Sequence, residues 1–116
     1  DTGFRIARDP DTVRAPDAAF LDVERSKRIT RRGYADVAPN LVVEVLSPDD
    51  RPAEVLERIA DWLNAGVELA WVVDPERLEV RVHRADGSLA LLKDGDTLDG
   101  EDVLPGFTCV VRDLLD

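Results

Sequence analysis

This 116-residue sequence is poor in several features that mark particular classes of protein. It has one cysteine, Cys109, so an internal disulfide is excluded and a reducing cytoplasm is the expected compartment. No apolar run approaches the ~20 residues of a membrane helix, and the first residues lack the pattern of a secretory signal. The remaining composition is 44% hydrophobic and 34% charged, which indicates a single soluble, globular domain.

Basic residues are also scarce, because the formal net charge is −10. This charge argues against broad, nonspecific binding to nucleic acid. The distribution is uneven, since residues 1–32 carry a net charge of +2 and residues 33–116 a net charge of −12. A short basic segment holds five cations: Arg25, Lys27, Arg28, Arg31 and Arg32. The segment is compatible either with local phosphate contacts or with an ordinary solvated loop.

The clearest structural pattern is a strand, a helix and a second strand. Residues 40–46 are apolar on both faces, which is typical of a central strand covered on both sides. After a Ser-Pro-Asp-Asp stop, a helix starts near Pro52, carries one apolar stripe and ends at residues 64–66. Residues 69–73 form the next strand. Such a crossover predicts that the two strands run parallel.

The remaining patterns predict short strands and turns. Strands are expected at 4–7, 18–21, 78–83 and 89–92, turns at 94–95 and 99–100, and a short helix at 110–115. The segment Asp86-Gly87 predicts a hairpin between the strands on either side of it. On the first of these strands Glu79, Arg81 and His83 alternate with apolar residues, so that face is expected to be wet. The predicted fold class is α/β, with a mixed sheet and one main crossover helix.

Two acidic residues are candidates for a functional site. Glu44 interrupts an otherwise apolar strand, and a buried carboxylate there needs a metal ion, a cationic partner or a proton. The alternative is a glutamate at a strand end that reaches solvent. Asp17 follows Pro16 at the mouth of another strand, where a plain turn aspartate is the alternative. Together the two carboxylates form an oxygen-ligand site suited to Mg²⁺.

Arg58 is the third candidate. At about 100° per residue it lies roughly 40° from Trp62, at the border between the apolar stripe and the wet face of the helix. A long cation there is able to reach the end of the sheet. The alternative is a surface arginine paired with Glu54 or Asp61. His83 has no serine or cysteine partner suggested by the sequence, so a catalytic role is not assigned to it.

Several segments, in order and at sensible spacing, resemble one known family. They are Thr2-Gly3-Phe4-Arg5, Val13-Arg14-Ala15-Pro16-Asp17, Pro39 to Pro48, Ala65-Gly66-Val67, Trp71 to Pro75 and Leu104-Pro105-Gly106-Phe107. The chain resembles the Uma-type restriction endonucleases, a bacterial branch of the PD-(D/E)XK nuclease superfamily. The Pro-Asp and Val-Glu-Val-Leu-Ser-Pro elements carry the resemblance together, and it spans essentially all 116 residues.

The resemblance implies a restriction-endonuclease-like fold: a mixed sheet with a βαβ crossover helix and a C-terminal hairpin. It also implies a Mg²⁺ site in which Asp17 and Glu44 are ligands, joined by the backbone carbonyl of Val45. The superfamily lysine normally lies two residues after the glutamate, where this chain has Leu46. In this branch the lysine is moved to the following helix, and Arg58 stands at the matching position.

The expected activity is therefore Mg²⁺-dependent cleavage of DNA by a cytoplasmic endonuclease domain spanning residues 1–116. DNA would contact the basic segment, no membrane is expected as a partner, and the resemblance leaves a homodimer open. Family members usually carry a further N-terminal segment, which these residues lack. One alternative is a nuclease-fold interaction or dimerisation module with impaired catalysis. Another is an unrelated carboxylate hydrolase, such as a glycosidase, which would need neither the metal nor Arg58.

Overall fold

The structure is a computed structural model that describes residues 3–7, 12–14, 16–28 and 37–114. The elements within these residues are, in chain order, β1 (Phe4–Ala7), β2 (Thr12–Arg14), β3 (Ala18–Phe20), α1 (Val23–Ser26), β4 (Leu41–Val45), α2 (Pro52–Asn64), β5 (Leu69–Asp74), β6 (Glu79–Arg84), β7 (Leu89–Leu92), β8 (Thr97–Asp99), β9 (Thr108–Val110) and α3 (Val111–Leu114). None of the helices among the described residues is long and apolar enough to cross a membrane.

A five-stranded mixed sheet forms the centre of the fold, in the order β3-β4-β5-β6-β7. β4 and β5 run parallel and α2 connects them, whereas the other neighbouring strands are antiparallel. The predicted crossover is therefore confirmed. Proline at the first position starts α2, and Gly66, with a φ of 112°, adopts the left-handed conformation just after the helix ends.

The sheet is buried on both faces, as the apolar pattern of β4 predicted. On one face, Val42 and Val72 pack with the apolar stripe of α2, which includes the fully buried Trp62. Phe4 of β1 also packs there, with its ring edge-on to that indole at 6.0 Å. The opposite face carries a second core around Trp71, which the C-terminal elements cover. The two cores explain why β4 and β5 have almost no polar side chains.

The C-terminal layer contains a strand pair that the sequence pattern did not reveal. Turns were expected at 94–95 and 99–100, but β8 begins between them and pairs with β9. Leu98 of β8 is fully buried and joins the second core. A glycine is required at position 100, because a Cβ atom there would lie 2.2 Å from the carbonyl oxygen of Leu104.

Two further elements near the N-terminus were not predicted. β2 pairs antiparallel with β1, and α1 ends inside the basic segment that was expected to be a loop. The Asp22 carboxylate caps α1 by accepting a hydrogen bond from the Arg25 N–H at 2.8 Å. Both elements are only three or four residues long, which is too short for periodicity to predict them.

The hairpin of β6 and β7 is confirmed, but its expected wet face is only partly exposed. Arg81 is exposed as predicted. Glu79 is buried, because its carboxylate pairs with the Lys93 ammonium group. His83 is half-buried, since it lies opposite Ala70 on the sheet face that α2 begins to cover.

Candidate active site

Asp17 lies at the end of the sheet where β3 begins. β3 pairs antiparallel with β4, and Ala18 is opposite Val43, so one further step of this register places Asp17 opposite Glu44. Residues that face each other in an antiparallel pair project from the same face of the sheet. Asp17 is exposed, and its Oδ2 accepts a hydrogen bond from the Val45 backbone N–H at 2.6 Å. This bond holds the carboxylate against the carboxyl end of β4.

Glu44 is the buried member of the pair, with 7% of its surface exposed. Its side chain is on the same face of β4 as Val42, the face that packs against α2. There Glu44 Oε1 accepts a hydrogen bond from the indole N–H of Trp62 at 3.0 Å. The alternative of a glutamate reaching solvent is thus wrong. A neutral donor on α2 is one partner of this carboxylate and fixes its position.

Arg58 lies one helical turn before Trp62 on α2. Its guanidinium group is 3.8 Å from the Asp50 carboxylate, a partner in the loop before the helix that helical spacing did not predict. The Ser47 backbone N–H donates a hydrogen bond to the Asp50 carboxylate at 2.8 Å and holds the pKa of that carboxyl below its ordinary value. The positive charge of Arg58 lowers the same pKa further. Arg58 therefore has a fixed neighbour beside the carboxyl end of β4.

The basic segment divides into anchoring and exposed cations. Arg25 donates hydrogen bonds to the carbonyl oxygens of Ala38, Pro39 and Gly66 at 2.9–3.2 Å, and to the Glu68 carboxylate at 3.3 Å. This guanidinium is committed within the protein, so Arg25 is left out of the DNA contacts proposed below.

Two other cations of the segment are exposed. Lys27 forms a long pair with Glu24 at 3.8 Å and is exposed, and Arg28 is also exposed. Arg31 and Arg32 lie outside the described residues, so their predicted DNA contacts stay a prediction. The exposed positions are the ones that remain available to phosphate groups.

The donor atoms at the end of β4 fit a hard metal ion in chemical type. Asp17 and Glu44 supply carboxylate oxygens. The Val45 carbonyl is directed toward the Asp17 edge, because the N–H and C=O of one strand residue point to the same side. Oxygen ligands of this kind suit Mg²⁺. Among the described residues there is no group of three or more histidine, cysteine or acidic side chains arranged to hold a metal.

Comparison with known families decides the relationship. The family model Uma2, described as "Putative restriction endonuclease", matches residues 1–112. The chain belongs to the Uma2 family. The resemblance read from the sequence motifs is therefore confirmed over nearly the whole chain. No curated protein matches this chain.

A solved structure supports the fold. The protein is similar to a putative nuclease belonging to DUF820 from Anabaena variabilis ATCC 29413, with a TM-score of 0.77 and 22% sequence identity. The similarity covers 91% of this chain and 62% of the other, so the Uma2 chain described here spans less than two thirds of that protein's length. At this identity the match establishes the nuclease-like fold, which agrees with the predicted mixed sheet and crossover helix.

Two contacts of the site were missed by sequence reasoning. Trp62 was assigned only to the apolar stripe of α2. A buried tryptophan usually needs a partner for its N–H, and the strand that the stripe faces has one acidic residue, so the sequence does carry a signal for this hydrogen bond. The pairing of Asp50 with Arg58 was missed because residues one helical turn away were considered first. The Ser-Pro-Asp-Asp turn brings Asp50 back to the helix, and that turn geometry is not evident from spacing.

Proposed function

We propose that this Uma2 chain forms the core of a Mg²⁺-dependent endonuclease that hydrolyses phosphodiester bonds in DNA in the cytoplasm. The observation that carries the proposal is the hydrogen bond from the Val45 N–H to the Asp17 carboxylate at 2.6 Å, which holds this carboxylate at the end of β4, next in the chain to Glu44. Membership of a restriction-endonuclease family supports the reaction class. The free cysteine, Cys109, is consistent with a reducing compartment.

In this proposal Asp17, Glu44 and the Val45 carbonyl hold the metal. When bound there, Mg²⁺ would supply Lewis acidity for attack on a phosphodiester and charge neutralisation for the leaving oxygen. The protein's own contribution is to keep the ligands in place before substrate arrives. The Trp62 indole fixes the Glu44 carboxylate, and the Val45 N–H fixes that of Asp17.

Arg58 contributes positive charge near the phosphate that is cut. A phosphodiester gains negative charge as it reacts, and a fixed cation stabilises that charge. The contact with Asp50 restrains the guanidinium group on the face of α2 that also carries Trp62. Arginine keeps its proton at all relevant pH values, so Arg58 acts as an electrostatic clamp and not as a proton donor or acceptor.

The exposed cations of the basic segment are proposed to contact the DNA backbone. Since the net charge is −10, binding is local and weak. Replacing both Arg28 and Arg31 with glutamine should reduce the slope of log K against log salt concentration by up to about two, one for each phosphate group that the variant no longer neutralises. A slope that stays unchanged would return the segment to the reading of a solvated loop.

A plasmid-nicking assay with Mg²⁺ tests the catalytic proposal. We expect Glu44→Gln and Asp17→Asn to abolish nicking, because each removes one charged ligand while keeping side-chain size. Asp86→Asn is the matched control, since it removes an exposed carboxylate at the β6–β7 turn, far along the chain from β4. Nicking by Glu44→Gln at the wild-type rate would refute the proposal.

A non-catalytic nuclease-fold interaction module is the second candidate. It is favoured by one observation, the arginine at position 58 and its pairing with Asp50 where the family pattern expects lysine. The two candidates differ in a clear way. The interaction module is the correct function if three results are found together. The wild-type chain binds Mg²⁺ in a titration, Glu44→Gln loses that binding, and neither wild type nor Arg58→Lys nicks DNA.

A further inference from the structure

A pocket of about 270 Å³ opens between the first half of α2, the loop that precedes this helix and the face formed by β5 and β6. Its deep part is apolar, because Val55 and Val72 are buried and Leu46 is partly buried. Its outer part is basic, with the exposed Arg77 and Arg81. The volume lies just below the usual range of about 300–1,000 Å³ for ligand sites, which suits a single small unit of a larger molecule.

The pairing of β5 with β6 explains why basic groups line this pocket. Arg81 is opposite Val72 and His83 is opposite Ala70, so both side chains are on the face that packs against α2. α2 covers β4 and β5 and leaves this part of β6 open. Arg77 lies in the turn that joins the two strands. The cations therefore flank an apolar cleft and do not lie on a flat surface.

Two carboxylates also line the pocket, but both have other donors. Asp74 Oδ1 accepts hydrogen bonds from the backbone N–H groups of Glu76 and Arg77, each at 3.1 Å. Asp50 accepts from the Ser47 N–H and pairs with Arg58.

Neither Arg77 nor Arg81 forms an ion pair within the part of the chain that the structure describes. These two guanidinium groups are thus the positive charges of the pocket that are left for a ligand.

The pocket adjoins the candidate active site. Leu46 lines it and lies two residues after Glu44, so the two side chains project to the same side of the extended chain. We propose that this pocket binds one nucleotide unit, with its phosphate on Arg77 and Arg81 and its base or sugar against the apolar lining. The inference rests on the proposed function and identifies a subsite for the nucleotide next to the one that is cut.

The chemistry of the lining matches such a ligand. Arginine presents a planar fork of donors that fits phosphate oxygens, and two such groups lie beside this cleft. The apolar side chains at the bottom of the pocket provide a contact for a sugar or base, and they form no hydrogen bonds to it. The subsite is therefore expected to accept nucleotides of any base.

Calorimetric titration with thymidine 5′-monophosphate, in EDTA and at low salt, tests this inference without the metal. We expect saturable binding by wild type and at least a 10-fold weaker affinity for the Arg77→Gln, Arg81→Gln double variant. Arg112→Gln is the matched control for one lost positive charge, since Arg112 is exposed on α3 and belongs to the opposite side of the sheet. Equal affinities of wild type and double variant would overturn the inference.

Two further probes separate the phosphate from the rest of the nucleotide. Thymidine without phosphate should bind much more weakly than the monophosphate, because the arginines have no partner in it. Inorganic phosphate should also bind more weakly, because it leaves the apolar lining empty. If inorganic phosphate binds as tightly as the nucleotide, the pocket recognises a simple anion and the nucleotide assignment is wrong.

The same variants distinguish this inference from the proposed nuclease function. Glu44→Gln should lose Mg²⁺-dependent nicking while it keeps the wild-type affinity for thymidine monophosphate in EDTA. Retained nicking in that variant would refute the catalytic site and leave the pocket assignment standing. Conversely, if the double arginine variant nicks DNA and also binds the monophosphate like wild type, the pocket assignment alone is refuted. Circular dichroism on each variant confirms that the chain is folded.

Discussion

Trp62→Phe probes the contact on which the candidate site depends most directly. The substitution keeps an aromatic ring against Phe4 but removes the N–H that Glu44 accepts at 3.0 Å. A hydrogen bond to a charged group contributes about 1.5–3 kcal/mol, and the smaller ring leaves a gap that costs about 1 kcal/mol more. We therefore expect the free energy of unfolding to fall by about 2.5–4 kcal/mol, measured by urea denaturation.

The second tryptophan provides a matched control. Trp71 is as deeply buried, but within the described residues its Nε1 has no hydrogen-bond partner. Trp71→Phe makes the same chemical change without losing a bond, and it relieves an unsatisfied donor. We expect its unfolding free energy to change by about 1 kcal/mol or less. Each variant retains one tryptophan, so fluorescence reports the transition in both.

A double-mutant cycle isolates the hydrogen bond from the change in ring volume. Combining Trp62→Phe with Glu44→Leu removes both partners, and the volume effect is common to both sides of the cycle. The expected coupling energy is about 1.5–3 kcal/mol. A coupling below about 0.5 kcal/mol, or equal losses for Trp62→Phe and Trp71→Phe, would show that the indole does not hold Glu44 and would refute the reasoning.

Three further outcomes follow from the described contacts. Arg58→Lys should raise Mg²⁺-dependent nicking by about 10-fold, equivalent to about 1.4 kcal/mol of barrier, because a compact ammonium group fits beside a metal site. If Arg58→Ala nicks DNA as fast as wild type, the position is not catalytic. Arg25→Gln should lower the free energy of unfolding, measured by urea denaturation, by about 2 kcal/mol. Lys27→Gln, at an exposed position, should change it by less than about 0.5 kcal/mol. Equal effects of the two variants would contradict the anchoring role of Arg25. Burial, and then Arg81, lower the pKa of His83 below its ordinary value. The unfolded chain therefore takes up the proton first, and stability is lost as pH falls below about 6.5. Urea titrations between pH 7.5 and 5 should show a shallower loss of unfolding free energy for His83→Gln than for wild type, and parallel losses would contradict this.

The long periodic elements were predictable from the sequence alone. The apolar run of β4, the stripe of α2 and the run of β5 each extend over enough residues for their period to identify them, and the connection between them dictates parallel pairing. Glu44 also stood out, since one acidic residue in an apolar strand has few structural explanations. The family motifs are likewise a property of the sequence.

Tertiary structure decided which side chains meet. The pairing of β3 with β4 sets Ala18 opposite Val43, and one residue of slippage would have turned Asp17 and Glu44 to opposite faces of the sheet. Arg25, a candidate DNA contact in the sequence, binds carbonyl groups that are distant in the chain. The fold also places Arg77 and Arg81 in the same pocket as apolar side chains of α2. Local periodicity carries no information on such contacts, because they depend on strand register and on where a helix covers a sheet.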